Sequence, residues 1–139
     1  MKILAIDTSC DDTCIALILI EKKSNSFKIL SNVVSSQTKI HKKWGGVYPT
    51  LAKREHQKNL IPVFKKALKK AGLLKDSNLR SSIFKSQVLK KILEKDQNLL
   101  ENLTKFLKKY KKPKIDAIAV TIGPGLEPCL WVGVNFAKN

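Results

Sequence analysis

Three observations predict an α/β fold for this chain of 139 residues: three consecutive apolar runs near the start, a Lys-rich helical middle, and a fourth apolar run before a Gly-Pro-Gly turn. Short polar turns between the first three runs indicate an antiparallel meander. The fourth run follows helical segments, so we predict that it joins the sheet as a parallel strand with flanking helices. The length and the 43% apolar fraction fit one domain with its own core.

The three strands of the meander are predicted at residues 2–7, 13–20 and 27–36. Each is an apolar run with β-branched side chains, the composition that is typical of strands. A loop over residues 36–49 follows, and it contains the Gly45-Gly46 pair.

A helix is predicted to begin after this loop. Thr50 is a suitable N-cap for a helix over residues 51–60. Pro62 should either kink that helix or open a second one, because proline lacks the backbone N–H and fits the first turn of a helix. The helical pattern runs to Gly72, which is a typical residue for a helix end.

The segment 73–112 has apolar residues at helical spacing with Lys between them. This pattern predicts one or two amphipathic helices, with a break near Asp96. We expect a Lys-rich helical insertion here, inside a single domain over residues 1–139. A last buried strand is predicted at residues 115–122, and the final helix is expected to begin at Trp131.

The charge is strongly basic, with 27 Lys and Arg against 11 Asp and Glu, a net charge of +16. Residues 65–114 hold 16 basic and 4 acidic side chains, so 16 − 4 = +12 of this charge lies there. Nucleic acid is the natural partner of such a surface. The alternative is a bias from an AT-rich genome, because only Arg54 and Arg80 are Arg and Arg is the better ligand for phosphate.

Neither the composition nor the N-terminus predicts a membrane or secreted protein. No apolar run approaches the length that crosses a bilayer, and the first apolar run is too short for a secretory signal. We expect a cytoplasmic protein. Cys10, Cys14 and Cys129 have neither CxxC nor zinc-site spacing, so reduced thiols are expected; a metal or redox pair at Cys10 and Cys14 is the alternative.

The first candidate site is the turn after the first strand. Asp7, Asp11 and Asp12 place three carboxylates there, beside the hydroxyls of Thr8 and Ser9. Hydroxyls and turn amides can hold a phosphate, and a carboxylate can hold Mg²⁺ that neutralises it. The alternative is a solvated hairpin turn, in which Asp and Ser are common.

The second candidate site is the sequence GPGL, residues 123–126, between the last strand and the last helix. Two glycines allow the backbone to approach a ligand closely, and the helix that follows directs free N–H groups at an anion. The alternative is a tight turn with Pro124 and Gly125 at its centre.

Two histidines and two tryptophans complete the set of chemically distinctive residues. His41 lies on the Gly-rich loop and His56 on the helix, and neither has a second His at metal-ligand spacing. A hydrogen-bonded loop residue and a half-buried helix residue are the simplest interpretations. Trp44 and Trp131 are expected to anchor the core or a loop.

Three segments, taken in order, resemble one known family. They are ILAIDTSCDDT, SSQTKIHKKWGGVYPTLAKREH and IDAIAVTIGPGLEPCLWVGVNFAK. In this order they resemble the N-terminal lobe of the tRNA N(6)-threonylcarbamoyladenosine transferases, once described as glycoproteases. The resemblance covers residues 1–72 and 113–139. It implies an actin-like ATPase fold of the ribonuclease-H-like class, with a nucleotide bound between two lobes.

The resemblance also implies a reaction and its participants. The family transfers threonylcarbamoyl from threonylcarbamoyl-adenylate to the N6 amine of the adenosine next to the anticodon of certain tRNAs. For the complete enzyme, the implied cofactors are a divalent metal (iron, zinc or magnesium) and an adenylate nucleotide. The implied partners are tRNA and other proteins of the same pathway, among them a fold-related paralogue, with no membrane involved.

The residues that match the family's motifs fall into three groups. The carboxylates expected to be catalytic are Asp11 and Asp12. The residues expected to bind the nucleotide are Thr8, Ser9, Gly123, Pro124 and Gly125. The residues expected on a substrate-side loop are His41, Gly45, Gly46, Arg54 and His56.

The sequence departs from the family pattern at several positions. Asp7 and Asp12 stand where Glu is frequent, Lys53 replaces a usual Ser, and Thr50 replaces a usual Glu. The family's metal-binding H-x-x-x-H motif and its later nucleotide-binding segments do not occur in these residues. We therefore expect a truncated or partial enzyme that supplies no metal ligand and is inactive alone.

Two other functions share parts of this pattern. A non-catalytic paralogue that acts as a dimerisation partner has a similar first turn, but its second turn usually continues GPGSFTG and it lacks the H…GG loop. A carbamoyltransferase of small-molecule biosynthesis shares the lobe, usually within a longer chain. A peptidase is not supported, because neither a Ser–His–Asp set nor HExxH appears.

Overall fold

The computed structural model describes residues 1–21, 26–77 and 97–138. Its sheet has four strands in the order β3-β2-β1-β4. They are β1 (Lys2–Asp7), β2 (Asp12–Glu21), β3 (Ser26–Ser36) and β4 (Ala117–Val120). The first three strands pair antiparallel and β4 pairs parallel to β1, which confirms the predicted α/β fold of a meander plus one parallel strand.

One face of the sheet is buried because its apolar side chains line up across the strands. The register places Ile15 of β2 between Ile6 of β1 and Val33 of β3, and Leu4 opposite Leu17. All five side chains are buried. The alternation of these residues with more exposed ones is the period that a half-buried strand requires.

The loop after β3 contains more structure than the sequence predicts. A four-residue helix, α1, spans Thr38–His41, and a 3₁₀ turn over Lys42–Trp44 follows it. Gly45, at φ +70°, ends this turn in the left-handed conformation that glycine adopts without steric cost.

The long helix α2 spans Pro49–Lys70 without interruption. The predicted N-cap at Thr50 is therefore wrong: Tyr48 is the N-cap, and Pro49 occupies the first turn, where a missing N–H costs nothing. Pro62 lies inside this helix and does not open a second one.

The predicted stop at Gly72 is confirmed. Gly72 has φ +68°, its N–H donates to the carbonyl of Lys69, and the N–H of Leu73 donates to the carbonyl of Leu68. These two bonds form a Schellman motif, which satisfies the last carbonyls of a helix.

Helix α3 (Gln97–Lys109) belongs to the hydrophobic core. Its Leu99, Leu103 and Phe106 are buried, and the ring of Phe106 lies 5.3 Å from that of Phe64 on α2. The part of the predicted insertion that is described here therefore packs against α2 and contributes to the core. The predicted break near Asp96 lies outside the described residues.

The last strand and helix differ from their predicted bounds. β4 covers four residues, and because it is the edge strand of the described sheet, Ile118 and Ala119 are exposed where a buried strand was predicted. Helix α4 (Glu127–Ala137) begins four residues before Trp131, with Leu126 as its N-cap.

Neither tryptophan lies in the core, since Trp44 and Trp131 are 58% and 50% exposed. Of the two predicted roles, the role as core anchors is therefore wrong, and the role as loop anchors stays a prediction. Among the residues described, no helix combines the length and the apolar character that a bilayer span requires.

Candidate functional site

The two turns singled out in the sequence lie at the same edge of the sheet. β1 and β4 are parallel, with Ile6 opposite Val120, so the chain leaves both strands on one side. The N–H of Thr121 still donates to the carbonyl of Ile6 at 3.1 Å. Ligands of α/β sheets commonly bind outside the carboxyl ends of parallel strands.

The turns also contact each other directly. The N–H of Leu126 donates to the carbonyl of Ser9 at 2.7 Å. A Cβ at Gly125 would lie 2.6 Å from the same carbonyl oxygen and 2.8 Å from the Ser9 Cβ. Only a residue without a side chain fits there, which gives a structural reason for the second glycine of GPGL. The Gly123-Pro124 peptide bond is cis.

Thr8 joins the first turn to helix α4. Its buried hydroxyl donates to the carbonyl of Cys129 at 2.8 Å and accepts the N–H of Gly133 at 3.1 Å. In a regular helix, the carbonyl of Cys129 would accept the N–H of Gly133. The hydroxyl of Thr8 bonds to both of these groups. A Cβ at Gly133 would lie 2.6 Å from it. Because both bonds are internal, the predicted contact of Thr8 with a nucleotide stays a prediction.

The three carboxylates of the first turn have different partners. Asp7 accepts the N–H of Ser9 on Oδ1 at 3.0 Å, which closes an Asx turn. Asp11 and Asp12 are partly exposed, and the Asp11 carbonyl accepts the N–H of Gln37 at 2.9 Å. Oδ1 of Asp12 is shielded from solvent and has no hydrogen-bond partner among the described residues. A buried carboxylate oxygen normally has one, so Asp12 has unused capacity for a ligand.

His56 is fully buried beneath this turn. Its Nε2–H donates to the Cys10 carbonyl at 3.0 Å, and its Nδ1 accepts from the Thr13 hydroxyl at 2.8 Å. A carbonyl is an acceptor only, so Nε2 carries the proton. Burial lowers the pKa of His56, although the Cys10 carbonyl and the nearby aspartates act in the opposite direction.

Gln37 connects the two histidines. Its Nε2 donates to Nδ1 of His56 at 3.3 Å, and its Oε1 accepts Nε2–H of His41 at 3.0 Å. His41 Nδ1 in turn accepts the backbone N–H of Tyr48 at 3.3 Å. The backbone amide at one end and the carbonyl of Cys10 at the other fix the direction of every bond between them. Both imidazoles are neutral in this network.

The network gives two of the predicted site residues a structural role, and their predicted role toward a substrate stays a prediction. His41 and His56, both expected on a substrate-side loop, are buried and hold the loop and helix to the carboxylate turn. Gln37 and Thr13 were not predicted as functional residues, although both are buried polar side chains at its centre. The only sequence signal for Gln37 is a polar residue between a strand and a helix.

The remaining residues of the predicted loop set are more exposed. Gly45, Gly46 and Arg54 all face solvent. A Cβ at either glycine would meet no described atom within 4 Å. Gly45 has a conformational role, as described above, and the predicted role of the three residues toward a substrate stays a prediction.

The cysteines are free, as expected. Burial raises the pKa of the Cys14 thiol to about 11, and the charges of Asp7 and Asp12 add to this shift. Burial likewise raises the pKa of Cys129 to about 11. Thiols of this kind stay protonated at neutral pH and are poor nucleophiles and metal ligands.

The described residues do not form a complete metal site. Across residues 1–21, 26–77 and 97–138, no three His, Cys, Asp or Glu side chains are grouped closely enough to hold a metal ion. The free oxygen of Asp12 fits one ligand position of a hard cation, and the other ligands would have to come from elsewhere.

Comparison with known proteins identifies the family. The TsaD family model, described as tRNA N6-adenosine threonylcarbamoyltransferase, matches residues 28–78 and 89–139. Between these two ranges the match passes over residues 79–88, which lie inside the segment 73–112 that was predicted as an insertion. The second matched range includes helix α3, β4 and the GPGL turn.

Curated relatives with that same name match over the full length of the chain. Those from Persephonella marina, Thermosipho africanus and Thermosipho melanesiensis are 41%, 38% and 40% identical over 139 residues. The alignments cover 100% of this chain and 28%, 29% and 30% of the relatives. The chain therefore spans less than a third of the length of these proteins, and it corresponds to their N-terminal part.

Proposed function

The chain belongs to the tRNA N6-adenosine threonylcarbamoyltransferase family, and from this premise we propose that it forms the N-terminal lobe of an enzyme that modifies tRNA. The N6 amine of the adenosine next to the anticodon attacks the carbamoyl carbon of threonylcarbamoyl-adenylate. A C–N bond forms, the bond from carbon to the phosphate oxygen breaks, AMP leaves with the electron pair, and the amine loses one proton.

One observation carries this proposal: the hydrogen bond between Leu126 and Ser9 at the common edge of β1 and β4. It brings together the two family motifs that the sequence separates most widely. Helix α4 begins immediately after this contact, at Glu127. The N-terminus of a helix favours an anion, so the edge suits the phosphate of an adenylate.

Residues of the two turns have complementary roles in the proposal. Ser9 and the turn at Gly123 hold the phosphate; within the described residues, the Gly123 N–H makes no hydrogen bond, and a Cβ there would meet open space. Asp11 and Asp12 face the reacting groups and are suited to accept the proton of the attacking amine. Thr8 positions the turn through helix α4, and the His41–Gln37–His56 network positions it from the other side.

The cofactors proposed for the complete enzyme are an adenylate nucleotide and a divalent metal. Three carboxylates repel a bare phosphate, and a hard cation between them would neutralise that repulsion. Asp12 can contribute one oxygen to such a cation. Since the described residues hold no complete metal site, the other metal ligands are assigned to the rest of the enzyme.

The proposed partners are tRNA, in the cytoplasm, and a fold-related protein of the same pathway. The net charge of +16 supports a polyanionic partner. The family match names the transferase, and no observation favours the non-catalytic paralogue as an alternative.

A chimera tests the proposal. Residues 1–139 would replace the matching N-terminal part of the Persephonella marina relative, 28% of its length, and transfer of labelled threonylcarbamoyl to tRNA would be measured. We expect activity with a tRNA that has adenosine next to the anticodon and none when guanosine replaces it. Asp11→Asn should lower turnover about 100-fold and change the free energy of unfolding by less than about 1 kcal/mol.

Glu101→Gln is the matched control, because this exposed carboxylate lies on helix α3. It should leave turnover unchanged. A chimera that folds but transfers nothing would contradict the proposed function. If Asp11→Asn kept full turnover, the assignment of that carboxylate would be wrong.

A further inference from the structure

An exposed aromatic pair lies on the loop between α1 and α2. Trp44 and Tyr48 are 58% and 52% exposed, yet their rings stack at a centroid distance of 5.6 Å and an interplanar angle of 24°. Nζ of Lys43 lies 5.3 Å from the centre of the Trp44 ring. The two large rings therefore stack on each other while half exposed, and the cation of Lys43 lies over the Trp44 ring.

The buried network holds this pair in place. The backbone N–H of Tyr48 donates to His41, and His41 connects through Gln37 and His56 to the Cys10 carbonyl of the carboxylate turn. The aromatic pair is thus anchored to the same turn that carries Asp11 and Asp12. A surface that is fixed relative to a reaction site is suited to hold part of a substrate.

The charge around the pair has one sign. Between Thr38 and Arg54 the sequence has no Asp or Glu, and its basic residues are Lys39, Lys42, Lys43, Lys53 and Arg54. All five except Lys53 are exposed and Lys53 is partly exposed. The nearest acidic residue along the helix, Glu55, pairs with Lys58 at 3.1 Å.

We propose that Trp44 and Tyr48 form a stacking platform for an unpaired nucleobase of RNA, with Lys42 and Lys43 at the adjacent phosphates. This inference rests on the proposed function and makes the anticodon loop of tRNA the ligand. Proteins recognise single-stranded RNA loops by stacking bases on aromatic rings and by placing cations along the backbone. A protein partner fits less well, because the centre of a protein interface is usually depleted in charged residues.

Trp131 provides a matched comparison on the same chain. It is 50% exposed and also has a lysine, Lys138, 5.6 Å from its ring centre. Its Nε1–H donates to Glu127 at 3.4 Å, however, so a carboxylate lies beside it. No second ring stacks on it among the described residues.

The test measures RNA binding by the full 139-residue chain. Fluorescence anisotropy would follow a labelled 17-nucleotide RNA hairpin with a seven-nucleotide loop, and an RNA duplex of similar length would serve as the control ligand. The hairpin and its loop are roughly as long as one anticodon arm and its loop. The bases of such a loop can unstack. Trp44→Ala and Tyr48→Leu should each weaken hairpin binding by roughly 5- to 150-fold, the effect of one lost base–aromatic stack.

The controls separate stacking from charge and from folding. Trp44→Phe should retain most of the wild-type affinity for the hairpin, and Trp131→Ala should leave that affinity unchanged. Duplex binding should be the same for wild type and Trp44→Ala, since only the loop offers unstacked bases. Lys43→Gln should weaken the binding of both the hairpin and the duplex. It should also reduce the dependence of affinity on salt, because fewer counterions are released. Thermal melts would verify that every variant is folded.

Three results would overturn the platform. They are wild-type affinity in Trp44→Ala, no hairpin binding by the wild-type chain, and self-association at this surface, seen as a Trp44 fluorescence change with protein concentration in the Trp131→Phe background. None of them decides the proposed function, which the chimera's transfer activity reports independently. If the chimera were inactive while Trp44→Ala still weakened hairpin binding, the proposed transferase function would be contradicted. The platform would then stand as an RNA-binding surface.

Discussion

The backbone N–H of Leu126 donates to the carbonyl of Ser9 at 2.7 Å, and this bond joins the turn after β1 to the turn after β4. The contact is possible because Gly125 has no side chain: a Cβ would lie 2.6 Å from the Ser9 oxygen. The candidate site therefore depends on close packing between two backbone segments as much as on the side chains that they carry.

Gly125→Ala should destabilise the protein by about 1–3 kcal/mol, the usual cost of forcing a methyl group into a packed site. Gly123→Ala is the matched control: both glycines have φ +158°, but a Cβ at Gly123 meets nothing within 4 Å. The difference between the two variants in urea unfolding isolates the contact with Ser9. Equal free energies of unfolding for both variants would contradict the close approach.

Phe106→Ala should cost about 3–5 kcal/mol, as expected for a buried aromatic side chain in a core. Phe106 of α3 contacts Phe64 of α2, which contacts Phe136 of α4 at 5.5 Å. Its loss would open a cavity among three helices. Lys108→Ala, on the exposed face of α3, should change the free energy of unfolding by less than about 0.5 kcal/mol. A cost below about 1 kcal/mol at Phe106 would contradict a core role for α3.

Much of the fold could be predicted from the sequence because its signals are local. The apolar runs and polar turns gave the meander, and the helix stop at Gly72 follows from the freedom of glycine in the left-handed region. Family membership confirms the actin-like ATPase fold. The start of α2 was predicted incorrectly, because Pro49 at the first turn is a stronger determinant than Thr50 as a cap.

Long-range contacts explain what the sequence did not reveal. The pattern of 73–112 predicts one or two amphipathic helices, but not which surface their apolar side chains cover. For helix α3, the contact of Phe106 with Phe64 supplies that answer. Likewise, His41 and His56 were recognised as distinctive residues, but nothing local indicates that Gln37 would join them. The buried network exists only once β3, α1 and α2 have packed together.

Cys14 and Cys129 should react slowly with iodoacetamide at pH 7.5 in the folded protein. Burial raises the pKa of both thiols to about 11, so less than about 0.1% of each is thiolate at that pH. Their rates should rise about tenfold per pH unit between pH 9 and 10, where the rate of an ordinary thiol approaches its plateau. Mass spectrometry of the labelled peptides measures each site, and the urea-unfolded chain is the control. Equal rates in both states would contradict the burial.

The same thiols add a pH dependence to stability at alkaline pH. Because their pKa is higher in the folded state than the ordinary value of 9.0, the folded protein binds these protons more tightly. The contribution is complete below pH 9 and is lost as the pH rises through 11. Cys14→Ala with Cys129→Ala should show a smaller loss of stability between pH 9 and 10.5 than the wild-type chain.

His56 should make the fold sensitive to mild acid. Burial lowers its pKa below the ordinary 6.5, so the unfolded chain takes up a proton at a higher pH than the folded protein does. The stabilisation from neutral His56 is fully present above pH 6.5 and is lost as the pH falls below that value. Protonation of Nδ1 would also remove the acceptor for Thr13 and Gln37. We therefore expect the melting temperature to fall between pH 7.5 and 5.5.

Substitution at His56 separates this effect from other titrations. His56→Gln has no group that titrates in this range, so its melting temperature, though lower at pH 7.5, should change less between pH 7.5 and 5.5 than that of wild type. His41→Gln is the control variant that removes the other imidazole of the network, that of His41, and keeps His56. Nitrogen-15 NMR at pH 7.5 should show the proton of His56 on Nε2, as the Cys10 carbonyl requires. A charged imidazole at that pH, or an unchanged pH dependence in His56→Gln, would contradict a neutral His56 as the anchor of the carboxylate turn.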